Sequence, residues 1–237
     1  MNRIISIFID AYDILACAFL LATLHKNWKK LHRGLQFFAL YAGTSLLYLT
    51  VLRALKYTFH NLTYRSIYSN ALDIVFSLVE LLTFFAFFSY TFKSKNFDLA
   101  AKISYTGFSI AAFVVLWAGF ETQLTPSERN HLTDVFIGFQ TMSLSIMAIY
   151  YYVWLFRQPI IADIEKDSIF RIATGVLFYS LFMASFFFVS EFMRITNYPL
   201  FSLFYSLHLI MFGSLFLVIA WACKQSSNKT PKNDSSK

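Results

Sequence analysis

Charge is scarce in this chain. Only 14% of its 237 residues are Asp, Glu, Lys or Arg, whereas 57% are hydrophobic; ordinary soluble domains carry about 25% charge. A water-soluble domain of this size needs more charge than that to cover its surface, so the balance points to a membrane protein. With only two cysteines, a disulfide-built secreted fold and a Cys-rich metal domain are excluded. Glycine and proline are rare too, at 7 and 4 residues, so the apolar runs have few breaks.

What is abundant is Phe, with 29 residues, and apolar sequence gathered into long blocks. Seven can be read: Ile4 to Leu24, Leu35 to Leu55, Asn70 to Tyr90, Ile103 to Phe120, Leu132 to Phe156, Ile169 to Phe192 and Phe201 to Ala222. A hydrocarbon layer about 30 Å thick is crossed by about 20 helical residues, which matches these blocks. Lipid satisfies no backbone polar group, and the alternation of a lipid-facing barrel is missing, so the blocks predict helices. The expected fold is an all-α bundle of seven transmembrane helices forming one domain over residues 1–224, with a polar, disordered tail over 225–237. The first block carries Asp10 and Asp13 and ends in the basic run HKNWKKLHR, not in a small-residue cleavage site. It is therefore expected to be a retained span and not a cleaved signal.

Lys and Arg divide unequally between the two sides of such a bundle. Fourteen fall on the side of the odd-numbered loops and the C-terminus, including Lys26, Lys29, Lys30, Arg33, Lys93 and Lys224; six fall on the other side. The positive-inside rule then places the N-terminus outside and the C-terminus in the cytoplasm, in what would be a bacterial inner membrane. The net charge of +7 is accounted for by topology and contact with anionic lipid, and no nucleic-acid motif accompanies it.

No loop is long enough to fold by itself, so function is expected among the helices. Pro159 should break the chain after the fifth span, with a short interfacial helix following it. In ETQLTPSERNH, Pro126 reads as a turn and Thr133 or Asp134 as a helix start. Seven spans also allow two three-helix halves around an odd fourth helix, although no paired motif marks them.

Acids inside spans must be protonated, paired or hydrated, and so are candidate functional groups. Asp13 lies near the middle of the first span. Asp73, Ser77 and Glu80 recur at spacings of four and three, which places them on one helix face with Glu80 near mid-span. His208 lies within the last span. These positions make Asp13, Asp73, Glu80 and His208 the candidate ligand-binding or proton-relay group. Asp10, Glu121, Asp134 and Glu191, nearer the span ends, are secondary candidates. On the assigned topology the acids favour the outer half of the membrane, as an acid-lined cavity open to the outside would require.

Catalytic chemistry is poorly supplied. The scattered histidines do not make a three-ligand zinc site, no serine sits in GxSxG, and P-loop, Rossmann and kinase signatures are absent. No catalytic residue, metal or cofactor is assigned. A retinal protein needs a Lys within its seventh helix, and a G-protein-coupled receptor a DRY-like triplet after its third. This sequence has neither.

The stretch PIIADIEKDSIFRIATGVLFYSLFMASFFFVSE, with Ile169, Phe170, Ile172, Gly175, Leu177 and Tyr179, resembles the sixth-span pattern of a poorly characterised group of small, Bacteroidetes-type, seven-span membrane proteins. Leu78, Glu80, Leu81, Leu82 and Phe85 are similar to a third-span element of that group. Arg171 stands where its pattern favours Trp. The likeness runs from about Ile160 to Lys224, and it implies genes near sensor kinases or response regulators. A sensory or signalling accessory is the leading expectation, with a signalling partner at the cytoplasmic loops. A small-solute or proton-coupled transporter and a structural or assembly protein are the alternatives.

Overall fold

The computed structural model describes residues 3–58, 61–120, 124–157 and 167–228; at 3–7, 10, 56, 57, 62 and 228 it describes the backbone alone. These residues form seven α-helices: α1 (Arg3–Asn27), α2 (Arg33–Thr58), α3 (Leu62–Phe92), α4 (Lys95–Phe120), α5 (Pro126–Phe156), α6 (Ser168–Thr196) and α7 (Tyr198–Asn228). A single 3₁₀ turn, Trp28–Lys30, joins α1 to α2. Among the described residues, six stretches are long and apolar enough to cross a membrane by length and composition, one in each of α2 to α7. The chain is therefore an integral membrane protein built as an all-α, multi-helix bundle.

Several helices outrun their apolar blocks, because polar residues at their ends satisfy the backbone groups left open there. Helix α3 starts at Leu62, not Asn70, since the Asn61 side chain accepts from the Thr63 N–H at 2.9 Å. The expected turn at Pro126 is corrected in the same way. Thr125 and Glu128 form a capping box, and Pro126 occupies the first helical turn, where its missing N–H costs nothing. Asp167 caps α6 through the Ile169 N–H at 3.0 Å. At the other end of α3, Lys93 takes a left-handed conformation (φ 49°) and closes the helix. Helix α7 continues through Gln225–Asn228, so the first four residues expected in a disordered tail are helical. The rest of that tail, and the interfacial helix expected after Pro159, lie outside the described residues.

In cross-section, α1, α2, α3, α5, α6 and α7 form a closed ring in that order, with α7 returning to α1. Helix α4 packs outside the ring, against α3 and α5. Its described core contacts are few: Phe97, Ala101 and Ala112 are buried, while Ile110, Phe113 and Trp117 are exposed as a lipid-facing helix requires. The odd fourth helix thus stands beside the bundle and not at its centre.

The half of the ring beyond Glu80, toward the C-terminal end of α3, is packed solid with aromatic side chains. Phe38 of α2 meets Phe84 and Phe87 of α3 with ring centroids 5.5 and 5.1 Å apart, and Phe88 reaches Tyr151 of α5 at 6.4 Å. All five are at most 1% exposed. Contacts of this geometry add to the area they bury.

Candidate functional site

The other half of the ring is not filled. A cavity of about 120 Å³ lies between the helices, large enough for several water molecules or a small solute. Its polar lining comes from Asp13 of α1, Tyr48 and Arg53 of α2, Asp73, Ser77 and Glu80 of α3, Tyr179 of α6, and Tyr205 and His208 of α7. Phe76, Phe187 and Phe212 contribute aromatic wall. Asp13, Asp73, Glu80 and His208, picked from three separate helices, therefore meet at one cavity.

Glu80 is held by three hydrogen bonds. Oε1 accepts from the hydroxyls of Tyr41 (2.6 Å) and Tyr179 (3.1 Å), and Oε2 accepts from Gln140 Nε2 (3.0 Å). One side chain of α3 thereby ties α2, α5 and α6 to itself in a site 3% exposed. Three donors are the arrangement that makes burial of such a group tolerable. Seven residues nearer the α2–α3 connection, Asp73 Oδ1 accepts from the Tyr48 hydroxyl at 2.7 Å. Tyr48 is seven residues beyond Tyr41. Because α2 and α3 run antiparallel, equal steps of about 10 Å along both helices turn two tyrosines and two acids into a two-rung ladder. Its buried rung is the floor of the cavity, and its outer rung lies on the way toward Arg53.

The α1–α7 wall depends on close approach. A Cβ at Gly213 would collide with the Tyr12 ring and stand 2.6 Å from Asp13 Oδ1, so only glycine fits between the helices there. The Tyr12 and Ser214 hydroxyls hydrogen-bond across the same contact at 2.9 Å. Five residues before Gly213, His208 lies among aromatic rings: it stacks on Tyr205 at 5.6 Å and meets Phe186 and Phe187 edge-on at 5.7 and 5.5 Å.

The secondary candidates divide differently. Asp134 and Glu191 do not line the cavity; they belong to a polar seam between α5 and α6. Asp134 Oδ2 accepts from Ser190 (2.6 Å) and Arg194 (2.8 Å), while Glu191 receives Arg194 (2.7 Å) and Ser127 (2.6 Å). Each of these two acids is engaged by side chains that hold α5 to α6. Glu121 lies outside the described residues, and of Asp10 only the backbone, within α1, is described.

A search by charge alone misses Tyr41, Tyr48, Tyr179 and Gln140 as site residues, because none is costly in a membrane. The seven-residue spacing of Tyr41 and Tyr48, equal to that of Asp73 and Glu80, is the signal that finds two of them. Arg129, in the first turn of α5, is one of the six basic residues counted on the side opposite the C-terminus. The structure buries it to 1% exposure, with Nε donating to the Gly119 carbonyl of α4 at 2.8 Å.

Among the described residues, no three His, Cys, Asp or Glu side chains stand close enough together to hold a metal ion. No family model, no curated protein and no solved structure matches the chain.

Proposed function

We propose that this protein is a membrane-embedded receptor for a small cationic solute, of the protonated-amine class, and that it acts as a sensory or signalling accessory. The observation that carries the reading is the convergence of Asp13, Asp73, Glu80 and His208 on one cavity inside the six-helix ring. Three carboxyl groups and one guanidinium make an acid-rich lining. The Phe and Tyr walls suit the apolar body and positive head of a small amine.

On the positive-inside assignment, with the N-terminus outside, the cavity occupies the outer half of the membrane and the aromatic core seals the cytoplasmic half. Solute entering from outside would draw α1, α3 and α7 toward it. The resulting helix shift would be read at the basic cytoplasmic ends by a signalling partner. The dense inner half and seven uninterrupted helices support this reading over a carrier, which commonly binds at broken helices. Likeness to the Bacteroidetes-type group, with its expected two-component neighbours, favours the same class.

The test is thermal stabilisation of purified protein by a panel of small primary amines, each matched with a neutral alcohol of the same shape. Amines should raise the midpoint, alcohols should not, and Asp13→Asn or Asp73→Asn should abolish the difference. Equal response to both members of each pair would overturn the proposal. Amine flux into proteoliposomes would replace signalling with transport.

A further inference from the structure

One nitrogen in the cavity wall has no counterpart in the protein. The His208 ring lines the cavity, and its Nδ1, closed to solvent, has no hydrogen-bond partner among the described residues. The rings of Tyr205, Phe186 and Phe187 hold the imidazole at 5.5 to 5.7 Å and surround it with apolar surface. Buried nitrogens of this kind are nearly always paired. The ring is therefore suited to a hydrogen bond with whatever occupies the cavity.

Its height sets the reach of that bond. The Asp13 carboxyl group stands level with Gly213, where Oδ1 lies 2.6 Å from the position a Cβ would take. Glu80 belongs to the same floor: its partner Tyr41 stacks on Phe216, three residues past Gly213, at 5.0 Å. His208 precedes Gly213 by five residues of α7, about 7 Å along the helix axis. A solute with its ammonium group at the floor acids thus brings its other end to His208 when the two ends are joined by a chain of a few carbons.

The wall also sets the chemistry of that end. Three carboxyl groups line the cavity already, so a second acid on the solute would be repelled. A hydroxyl is neutral, and it both donates and accepts, so it pairs with the ring whichever nitrogen carries the proton.

We infer that the cavity is built for an amino alcohol, whose ammonium group meets the acids of the floor and whose hydroxyl hydrogen-bonds to His208. This inference rests on the amine reading of the cavity, and it makes His208 the residue that selects among amines.

Three chains of equal length separate the two halves of that statement. They are aminobutanol, pentylamine, in which a methyl group replaces the hydroxyl, and pentanol, in which a methyl group replaces the ammonium. Dissociation constants for each are measured by calorimetry on the purified full chain. Aminobutanol should bind about tenfold more tightly than pentylamine, the cost of leaving one buried hydrogen bond unmade. His208→Phe, which keeps a ring among rings, should bring aminobutanol down to the level of pentylamine, and His208→Gln, which restores a donor and an acceptor, should recover part of the preference. Equal binding of the two amines by the unaltered protein, or a preference that survives His208→Phe, would overturn the inference and leave the amine reading in place. Binding of both amines no tighter than that of pentanol would overturn the amine reading, and this inference with it.

Discussion

The Tyr41 hydroxyl of α2 donates to Glu80 Oε1 of α3 at 2.6 Å, in the buried centre of the bundle. That bond is one of three to the carboxyl group, so its removal should weaken the bundle without dismantling it. Tyr41→Phe is expected to lower stability by about 1–3 kcal/mol, the range for a buried hydrogen bond that involves a charged or strongly polar group. Glu80→Ala should cost more, because it leaves Tyr41, Tyr179 and Gln140 without their acceptor. Glu80→Gln should fall between the two. Unfolding midpoints of the three variants, compared in one lipid or detergent, check the order.

Gly213 sets the spacing of α1 and α7. A methyl group there would meet the Tyr12 ring and Asp13 together, and neither is a flexible chain end that swings aside. Gly213→Ala is expected to cost about 1–3 kcal/mol through overpacking and to break the Tyr12–Ser214 hydrogen bond. Because Asp13 lines the cavity, amine-dependent stabilisation should weaken in the same variant. Gly107 of α4 has open space around it, so Gly107→Ala should do neither.

Arg194 separates helix pairing from solute binding. It bridges Asp134 at 2.8 Å and Glu191 at 2.7 Å, with the three side chains between 14% and 23% exposed. Arg194→Gln should lower stability by about 1.5–3 kcal/mol, as expected for hydrogen bonds to charged groups. The response to amines should be unchanged relative to the variant's own midpoint. A selective loss of that response would move the α5–α6 seam into the binding site.

His32, between the 3₁₀ turn and α2, predicts a pH dependence. Burial, and next the positive charge of Lys93, hold its pKa below the ordinary histidine value. Its Nδ1 accepts from the Gly34 N–H at 3.3 Å, and its ring meets Tyr90 edge-on at 4.5 Å. With the folded-state pKa depressed, the unfolded chain takes up the proton first as pH falls. The contribution to stability is therefore complete above about pH 6.5 and is lost as pH drops through the folded-state value. His32→Gln should flatten that part of the stability–pH curve, and an NMR titration of the His32 ring should give a midpoint below that of free histidine.

The long apolar helices were legible in the sequence, because they follow from a local pattern: runs of about 20 apolar residues. Asp73, Ser77 and Glu80 do share a face of α3, and that face does meet Asp13 and His208. Ring order was not legible. Nothing in the α4 sequence distinguishes a helix outside the ring from one within it, as both are apolar all round. Helix ends were misread where polar caps carry a helix past its apolar block, as at Asn61 and Thr125. The neutral half of the site, Tyr41, Tyr48, Tyr179 and Gln140, escaped because a search for costly charges passes over groups that exist to satisfy them.

Whether the acid-lined cavity receives a small amine from outside is measured most directly at Ser77 on its wall. In a background with the buried Cys17 and Cys223 replaced by Ala, Ser77→Cys is exposed to a membrane-impermeant thiol reagent in sealed vesicles of defined orientation. Modification is expected from the side that holds the N-terminus, slowed by a saturating small amine and not by the matching alcohol. Modification from the C-terminal side alone, or a rate indifferent to the amine, would contradict it.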